Sequence, residues 1–286
     1  WWRDRLRWDV SDVFGALRRV LERGGLPGKA VRMDARTVGY AYYGVAEGVG
    51  VISGLSVSPE CSRLGVGGSL LRESIDAIRR QGVRRIESQF VSFDAPWLTP
   101  AFEREGFRPY WREFLRVELR PGHQTITPPA TVHLEPWRGT HVWQAAAIMQ
   151  AAYGGEIDAE ITGRFGTADG CRTVLEQILS QAACGSPVSE ASAMARSREG
   201  GIGFIVVTEI SPQQAHLAQV AVLPAYQHRG VGRLLLDHSL SRLSALQFDS
   251  LSLIVTHANQ RALRMYQRIG FQSVLSFPVF VWEGRG

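Results

Sequence analysis

A short apolar strand, a glycine turn and an amphipathic helix follow one another twice in this 286-residue chain, and this repeat constrains the fold more than any other feature. The later copy is VAVLPAYQHRGVGRLLL, Val220–Leu236, and the earlier one follows Val51–Val57. The glycines that end the two turns, Gly65 and Gly230, are 165 residues apart, with a proline six residues before each. That offset is the length of a domain, so the chain is predicted to hold two tandem domains rather than a solenoid.

The later turn has the composition of a phosphate-binding loop. Gly230 and Gly232 permit a tight turn, and the helix that follows presents its first N–H groups and positive dipole end to an anion. A second tract, NQRALRMYQRIGF, begins at Asn259 and predicts an amphipathic helix that stops at Gly270.

Together the two tracts resemble the GNAT family of N-acetyltransferases. Gln227–Gly232 is similar to the family's pyrophosphate loop, Gln/Arg-x-x-Gly-x-Gly/Ala, and Asn259–Phe271 is similar to its second signature, Asn-x-x-Ala-x-x-x-Tyr-x-x-x-Gly-Phe. The resemblance implies an α/β fold with a mixed sheet flanked by helices, in two tandem GNAT-like acyl-CoA N-acyltransferase domains. We expect a degenerate domain over residues 1–124 and the active one over residues 125–286.

The resemblance also implies a cosubstrate, acetyl-CoA, and a set of site residues. Its pantetheine arm would lie along Val220, Ala221 and Val222. Its pyrophosphate would be held by His228, Arg229, Gly230, Val231, Gly232 and Arg233. Asn259 belongs to the second signature, and a helix N-cap is a compatible role for it. Tyr266 would give a proton to the departing thiolate, because a phenol stays protonated near neutral pH.

The acceptor amine must lose a proton to attack the thioester, and the sequence leaves the route open. Some family members carry a glutamate five residues before this asparagine, but Ile254 stands there, which argues against a protein N-terminus as acceptor. Other members use a glutamate on the strand before the loop, where this chain has His216, a candidate base. Glu209 and a chain of water molecules are the alternatives.

The first half departs from the family pattern. Phe102 replaces the tyrosine, Ser62 replaces the residue that begins the loop motif, and the position of Asn259 falls at Asp94 or Ala95. Pro96 and Pro100 also interrupt the helix expected there. We therefore expect a scaffold in this half, with CoA binding as the alternative.

The remaining composition narrows the setting. No apolar run is long enough to span a membrane and no leader precedes the first domain, so a cytoplasmic protein is expected. Cys61, Cys171 and Cys184 lack metal-site spacing and are predicted to be free thiols without a metal. The net charge of +5 comes without a recognition motif, which argues against a nucleic-acid partner.

These observations predict an acetyl-CoA-dependent N-acetyltransferase that acts on a primary amine of a small molecule or peptide by direct attack in the C-terminal domain. A non-catalytic acyl-CoA-binding regulator or scaffold is the alternative. The resemblance implies that the segment between the first two helices of this domain forms the acceptor wall. Its polar side chains would suit a cationic amine, or form a solvated acidic loop: Tyr153, Glu156, Asp158, Glu160 and Asp169. The tandem layout is also similar to mycothiol synthases.

Overall fold

The computed structural model describes residues 2–93, 95–120, 131–180 and 185–284. The first stretch begins with a π-helical turn, Trp2–Leu6. The helices and strands of the first two stretches are α1 (Ser11–Glu22), β1 (Gly28–Met33), β2 (Arg36–Ala46), β3 (Val49–Val57), α2 (Val66–Arg79), β4 (Arg85–Ser88), α3 (Leu98–Arg104) and β5 (Arg108–Glu118).

The later residues repeat the pattern with additional helices. They form β6 (His133–Pro136), α4 (Val142–Tyr153), α5 (Ile157–Ile161), α6 (Ala168–Leu179), β7 (Ser186–Pro187), β8 (Ala193–Ser197), β9 (Gly200–Ser211), β10 (Gln214–Val222), α7 (Val231–Ala245), β11 (Ser250–Thr256), α8 (Gln260–Ile269) and β12 (Gln272–Glu283).

The chain divides into two compact units that do not follow its halves. The N-terminal unit comprises Phe14–Arg112 and Ser276–Gly286, and the C-terminal unit comprises Trp1–Val13 and Glu113–Leu275. Each unit therefore takes a segment from the far end of the chain, which the alternation of apolar residues did not predict. The join expected near residue 125 lies outside the described residues, so the boundaries 1–124 and 125–286 stay a prediction for the sequence repeat.

The C-terminal unit has a mixed sheet, in which β10 pairs antiparallel with β9 and parallel with β11. The parallel pair needs a crossover, which α7 supplies. Alternate residues of β9 are buried on opposite faces. Ile205 and Val207 pack in the core that contains residues of α7 and α8, and Phe204 and Val206 pack with α4 and α6. Helices thus cover both faces, as the α/β fold class predicts.

The N-terminal unit repeats this plan with β3 and β4 as the parallel pair and α2 between them. Its last strand is the end of β12, paired antiparallel with β4 from Phe280↔Ser88 to Glu283↔Arg85. Phe280 stacks on Phe102 of α3, with ring centroids 3.9 Å apart. Both side chains are fully buried, so the C-terminal strand supplies part of the core of this unit.

Apolar periodicity in the sequence predicts a helix from about Asp9 to Glu22 and strands near Arg85–Ser92 and Glu190–Arg196. The helix starts at Ser11, whose N–H donates to the Asp9 carboxylate. The first strand ends at Ser88, and the second begins at Ala193 after a turn. Pro100 does not prevent α3, because it lies in the first turn, where no N–H is needed.

Candidate active site

The candidate site lies beside a β-bulge, where strands β10 and β11 stop pairing. We call this separation of the two strands the opening in the sheet. The β9–β10 register shifts between Leu217 and Gln219, which leaves Ala218 as an extra residue. The β10–β11 register ends at Leu217↔Leu253, although both of these fully described strands continue for several residues. Val220, Ala221 and Val222 therefore lie where β10 has left its parallel neighbour. The carbonyls of Val220 and Val222 accept instead from the side chains of Tyr153 and Gln227, so a ligand along this edge would bind through N–H groups or displace those side chains.

The glycine turn after β10 forms an anion-binding geometry. Gly230 has φ of +83° and precedes the first residue of α7, Val231. His228 also has positive φ, +60°, so the chain curls twice within three residues. The N–H groups of Val231, Gly232 and Arg233 lie in the first turn of the helix, where no intrahelical acceptor exists for them. The loop can thus direct several N–H donors at one pyrophosphate.

Space beside Gly232 is compatible with this use. A Cβ at that position would meet only Val222 and Met265, at 3.8 and 3.9 Å. Arg229 is exposed and lies over the Tyr226 ring. Arg233 donates from Nε to the buried carboxylate of Asp237 at 2.6 Å. The loop and its basic side chains fit a diphosphate.

Side chains also tie the loop to α8. Arg261 donates to Gln227 Oε1 at 2.7 Å and lies 3.1 Å from Nε2 of His228, while Gln227 Nε2 donates to the Val222 carbonyl. We did not expect Arg261 at the site. It occupies a variable position of the second signature, two residues after Asn259, and only its charge could have indicated it. Asn259 itself caps α8 by accepting from the N–H of Ala262 at 3.1 Å.

Tyr266 lies buried on α8, with its ring edge-on to Phe271. Burial raises the pKa of the Tyr266 phenol well above its usual range, and the nearby Asp158 carboxylate raises it further. The phenol therefore stays protonated across the physiological pH range, as a proton donor must.

His216 lies in the part of β10 that pairs with β11, before the two strands separate. Its Nδ1 is 3.0 Å from Ser252 Oγ, and its ring meets the Trp8 and Phe114 rings with centroids 5.2 and 6.3 Å away. Burial lowers the pKa of His216 to about 4, so the ring is neutral near pH 7 and a weak proton acceptor. Its rival Glu209 accepts from the N–H of Gln213 at the nearby hairpin.

The α4–α5 segment is attached to both separated strands. The Tyr153 hydroxyl donates to the Val220 carbonyl of β10 at 2.5 Å, and Asp158 accepts from the Thr256 hydroxyl at the end of β11 at 2.6 Å. The other expected wall residues, Glu156, Glu160 and Asp169, are exposed. The segment thus brings Tyr153 and Asp158, of the five, to the strand ends.

The equivalent loop of the N-terminal unit is closed. Gly65 begins α2 with φ of +77°, but the ring of Trp97 overlaps the space of a Cβ at Gly67. Ser62 donates to the Pro59 carbonyl, and Phe102 lacks a hydroxyl. Asp94 lies outside the described residues, and Ala95 accepts from the N–H of Leu98.

Comparisons with known proteins agree with this geometry. The sequence model of the Acetyltransferase (GNAT) family matches twice, over residues 4–107 and 175–271. The chain belongs to this family of N-acetyltransferases, as a tandem member.

Individual proteins are similar to this chain either over part of its sequence or in fold. A ribosomal protein bS18-alanine N-acetyltransferase of Escherichia coli K12 is 32% identical over 75 residues, 26% of this chain and 51% of that protein. The chain thus spans about half the length of the curated relatives it matches. A GCN5-related N-acetyltransferase from Sphaerobacter thermophilus superposes with a TM-score of 0.71 at 16% identity, covering 94% of this chain and 86% of the other. A tandem GNAT protein from the clavulanic acid biosynthesis pathway gives 0.60 at 15% identity, covering 91% and 83%.

The described ranges contain neither a candidate metal cluster nor a membrane-spanning helix. No cluster of three or more His, Cys, Asp or Glu side chains there could hold a metal ion. Cys61 and Cys171 are buried free thiols, and Cys184 lies outside those ranges. None of the described helices is long and apolar enough to cross a membrane.

Proposed function

We propose that this chain is an acetyl-CoA-dependent N-acetyltransferase whose active site is in the C-terminal unit and whose acceptor is a primary amine of a small molecule or peptide. The observation that carries the proposal is the join of β10 to α7. A strand that has left its parallel neighbour leads into a glycine turn and the start of α7, where the first N–H groups have no intrahelical acceptor, and a protonated phenol lies on the neighbouring helix.

Acetyl-CoA would supply the acetyl thioester. The β10 edge at Val220–Val222 would hold its pantetheine arm, and the loop from His228 to Arg233 would hold its pyrophosphate through N–H groups and positive charge. Arg261 and Gln227 would keep the loop in place, and Asn259 would fix the start of the helix that carries Tyr266.

The reaction delivers one proton to sulfur and removes two from nitrogen, one before the attack and one after it. The amine nitrogen forms a bond to the acetyl carbon, the carbon–sulfur bond breaks with its electron pair going to sulfur, and Tyr266 gives sulfur its hydroxyl proton. The phenolate then regains a proton from the acylated nitrogen. The role of His216 as base stays a prediction. Because its pKa of about 4 makes it a weak base, water is the favoured route for the proton that the ammonium must first lose.

A thiol-release assay tests the proposal. Wild type and Tyr266→Phe would be incubated with acetyl-CoA and a panel of small amines and peptides. We expect amine-dependent release of CoA by wild type and loss of most turnover in the variant. Binding of acetyl-CoA without turnover on any amine would favour the regulator instead, and absence of binding would exclude both functions.

A further inference from the structure

Two hydrogen bonds place the α4–α5 segment across the opening between β10 and β11. Tyr153 reaches the Val220 carbonyl, beyond the last β10–β11 pair, and Asp158 reaches Thr256, three residues beyond the end of that pairing on β11. The segment therefore contacts both edges of the same opening. An acceptor that approaches a thioester on β10 through this opening would pass close to the segment.

Asp158 is the half-buried carboxylate of this segment. The hydroxyl of the buried Thr256 donates a hydrogen bond to Oδ1 of Asp158. Within the described part of the chain, no arginine, lysine or histidine forms an ion pair with Asp158. Removing a carboxylate partly from water without a counter-charge is unfavourable, so the site gains when a cation arrives.

We infer that Asp158 binds the ammonium group of the acceptor and so makes cationic primary amines the substrate class, an inference that rests on the function proposed above. Thr256 orients the carboxylate, whose remaining lone pairs can accept hydrogen bonds from a cationic donor on the substrate. The electrostatic effect of Asp158 on Tyr266 agrees with a place near the reacting sulfur.

Asp158 selects and orients the amine rather than keeping its proton. Carboxylates as a class are weaker bases than alkylamines by about six pKa units, so the ammonium proton must pass on to water. Binding and orientation still raise the rate, because the nitrogen is held within reach of the thioester before it is deprotonated.

The test compares wild type, Asp158→Asn and Thr256→Val. Asparagine keeps an oxygen for the Thr256 hydroxyl and removes only the charge, whereas valine keeps the charge and removes the hydrogen bond. The substrates are an alkyl diamine, which is cationic at neutral pH, and an alkoxyamine, which is not. We expect Asp158→Asn to raise KM for the diamine about tenfold or more, with little change for the alkoxyamine and in acetyl-CoA affinity. Thr256→Val keeps the preference for the diamine.

Other results would distinguish failure of the inference from failure of the proposed function. If wild type acetylates the diamine and Asp158→Asn does so with the same KM, the inference is wrong while the proposed function stands. An equal rise in KM for both substrates also overturns it, because charge is then not what Asp158 recognises. If wild type fails to bind acetyl-CoA or acetylates neither amine, the proposed function is wrong and the inference with it. Matching melting temperatures of the three proteins show that the comparison is made on folded chains.

Discussion

Gly65 and Gly230 hold the same left-handed backbone conformation, with φ of +77° and +83°, at the start of equivalent helices in the two units. A Cβ at either position would meet no other atom within 4 Å, so backbone strain is the main consequence of a side chain. The loops differ in what lies over them, because Trp97 fills the space beside Gly67 and nothing comparable lies beside Gly232.

This pair gives a matched test of cosubstrate binding. Gly230→Ala and Gly65→Ala each introduce about 1–2 kcal/mol of left-handed strain. We expect Gly230→Ala to weaken acetyl-CoA binding about tenfold or more, because the N–H groups of α7 shift, and Gly65→Ala to leave it unchanged. Calorimetry measures both, with about one acetyl-CoA per chain in wild type. Two sites per chain, or equal losses in the two variants, would contradict closure of the N-terminal loop.

Tyr266→Phe is expected to lower kcat about 100-fold, the usual contribution of a general acid, with acetyl-CoA affinity kept. Because the pKa of Tyr266 is raised, wild-type kcat should not fall as pH increases through the ordinary range of a phenol. Tyr42→Phe is the control, since Tyr42 also has a raised pKa but lies in the N-terminal unit. Turnover of Tyr266→Phe within a few fold of wild type would reduce Tyr266 to packing.

His216 should make the protein acid-sensitive. Its pKa is about 4 in the folded chain and about 6.5 when exposed, so the unfolded state binds the proton first as pH falls. Stability is therefore lost between about pH 6.5 and 4, on the order of 3 kcal/mol from this group. His216→Asn does not titrate, and the difference between its unfolding free energy and that of wild type should shrink over this interval. A constant difference in denaturant titrations across that interval would mean that His216 is not buried neutral.

The same variant tests the catalytic role of His216. A base with a pKa of about 4 gains little by accepting a proton near pH 7, and asparagine can keep a hydrogen bond to Ser252. We expect kcat of His216→Asn within a few fold of wild type at pH 7. A loss of about 100-fold with acetyl-CoA affinity intact would instead support His216 as the base.

Phe280→Ala should destabilise the N-terminal unit although residue 280 lies near the other end of the sequence. Its ring stacks on Phe102, and removal of a buried phenylalanine costs about 3–5 kcal/mol. Amide exchange in α3 should accelerate. Phe271→Ala, which removes the ring beside Tyr266, is the comparison, with its effect in α8. Faster exchange in α8 than in α3 after Phe280→Ala would contradict this assignment of β12.

The sequence predicted the α/β class of the fold and two local backbone features near the candidate site. Gly230 and Asn259 are signals of local structure, a positive φ and a helix cap, and local signals can be read from neighbouring residues. The exchange of terminal segments could not be predicted, because alternating apolar residues such as Val279 and Val281 indicate a buried strand but not which sheet receives it.

Long-range partners were missed for the same reason. The state of His216 depends on Trp8, 208 residues away, and the orientation of Asp158 depends on Thr256. No spacing rule connects such pairs, so the sequence could place His216 on a strand but not show that burial removes its charge.

The assignment of Ser276–Gly286 to the N-terminal unit bears on how the chain is made. The ribosome synthesises β1–β4 and α2 long before β12. During synthesis of most of the C-terminal unit, β4 therefore lacks its antiparallel neighbour. Until then the Phe102 ring has no stacking partner from that strand. Cutting the chain between its two halves would therefore yield fragments that each lack a segment carried by the other.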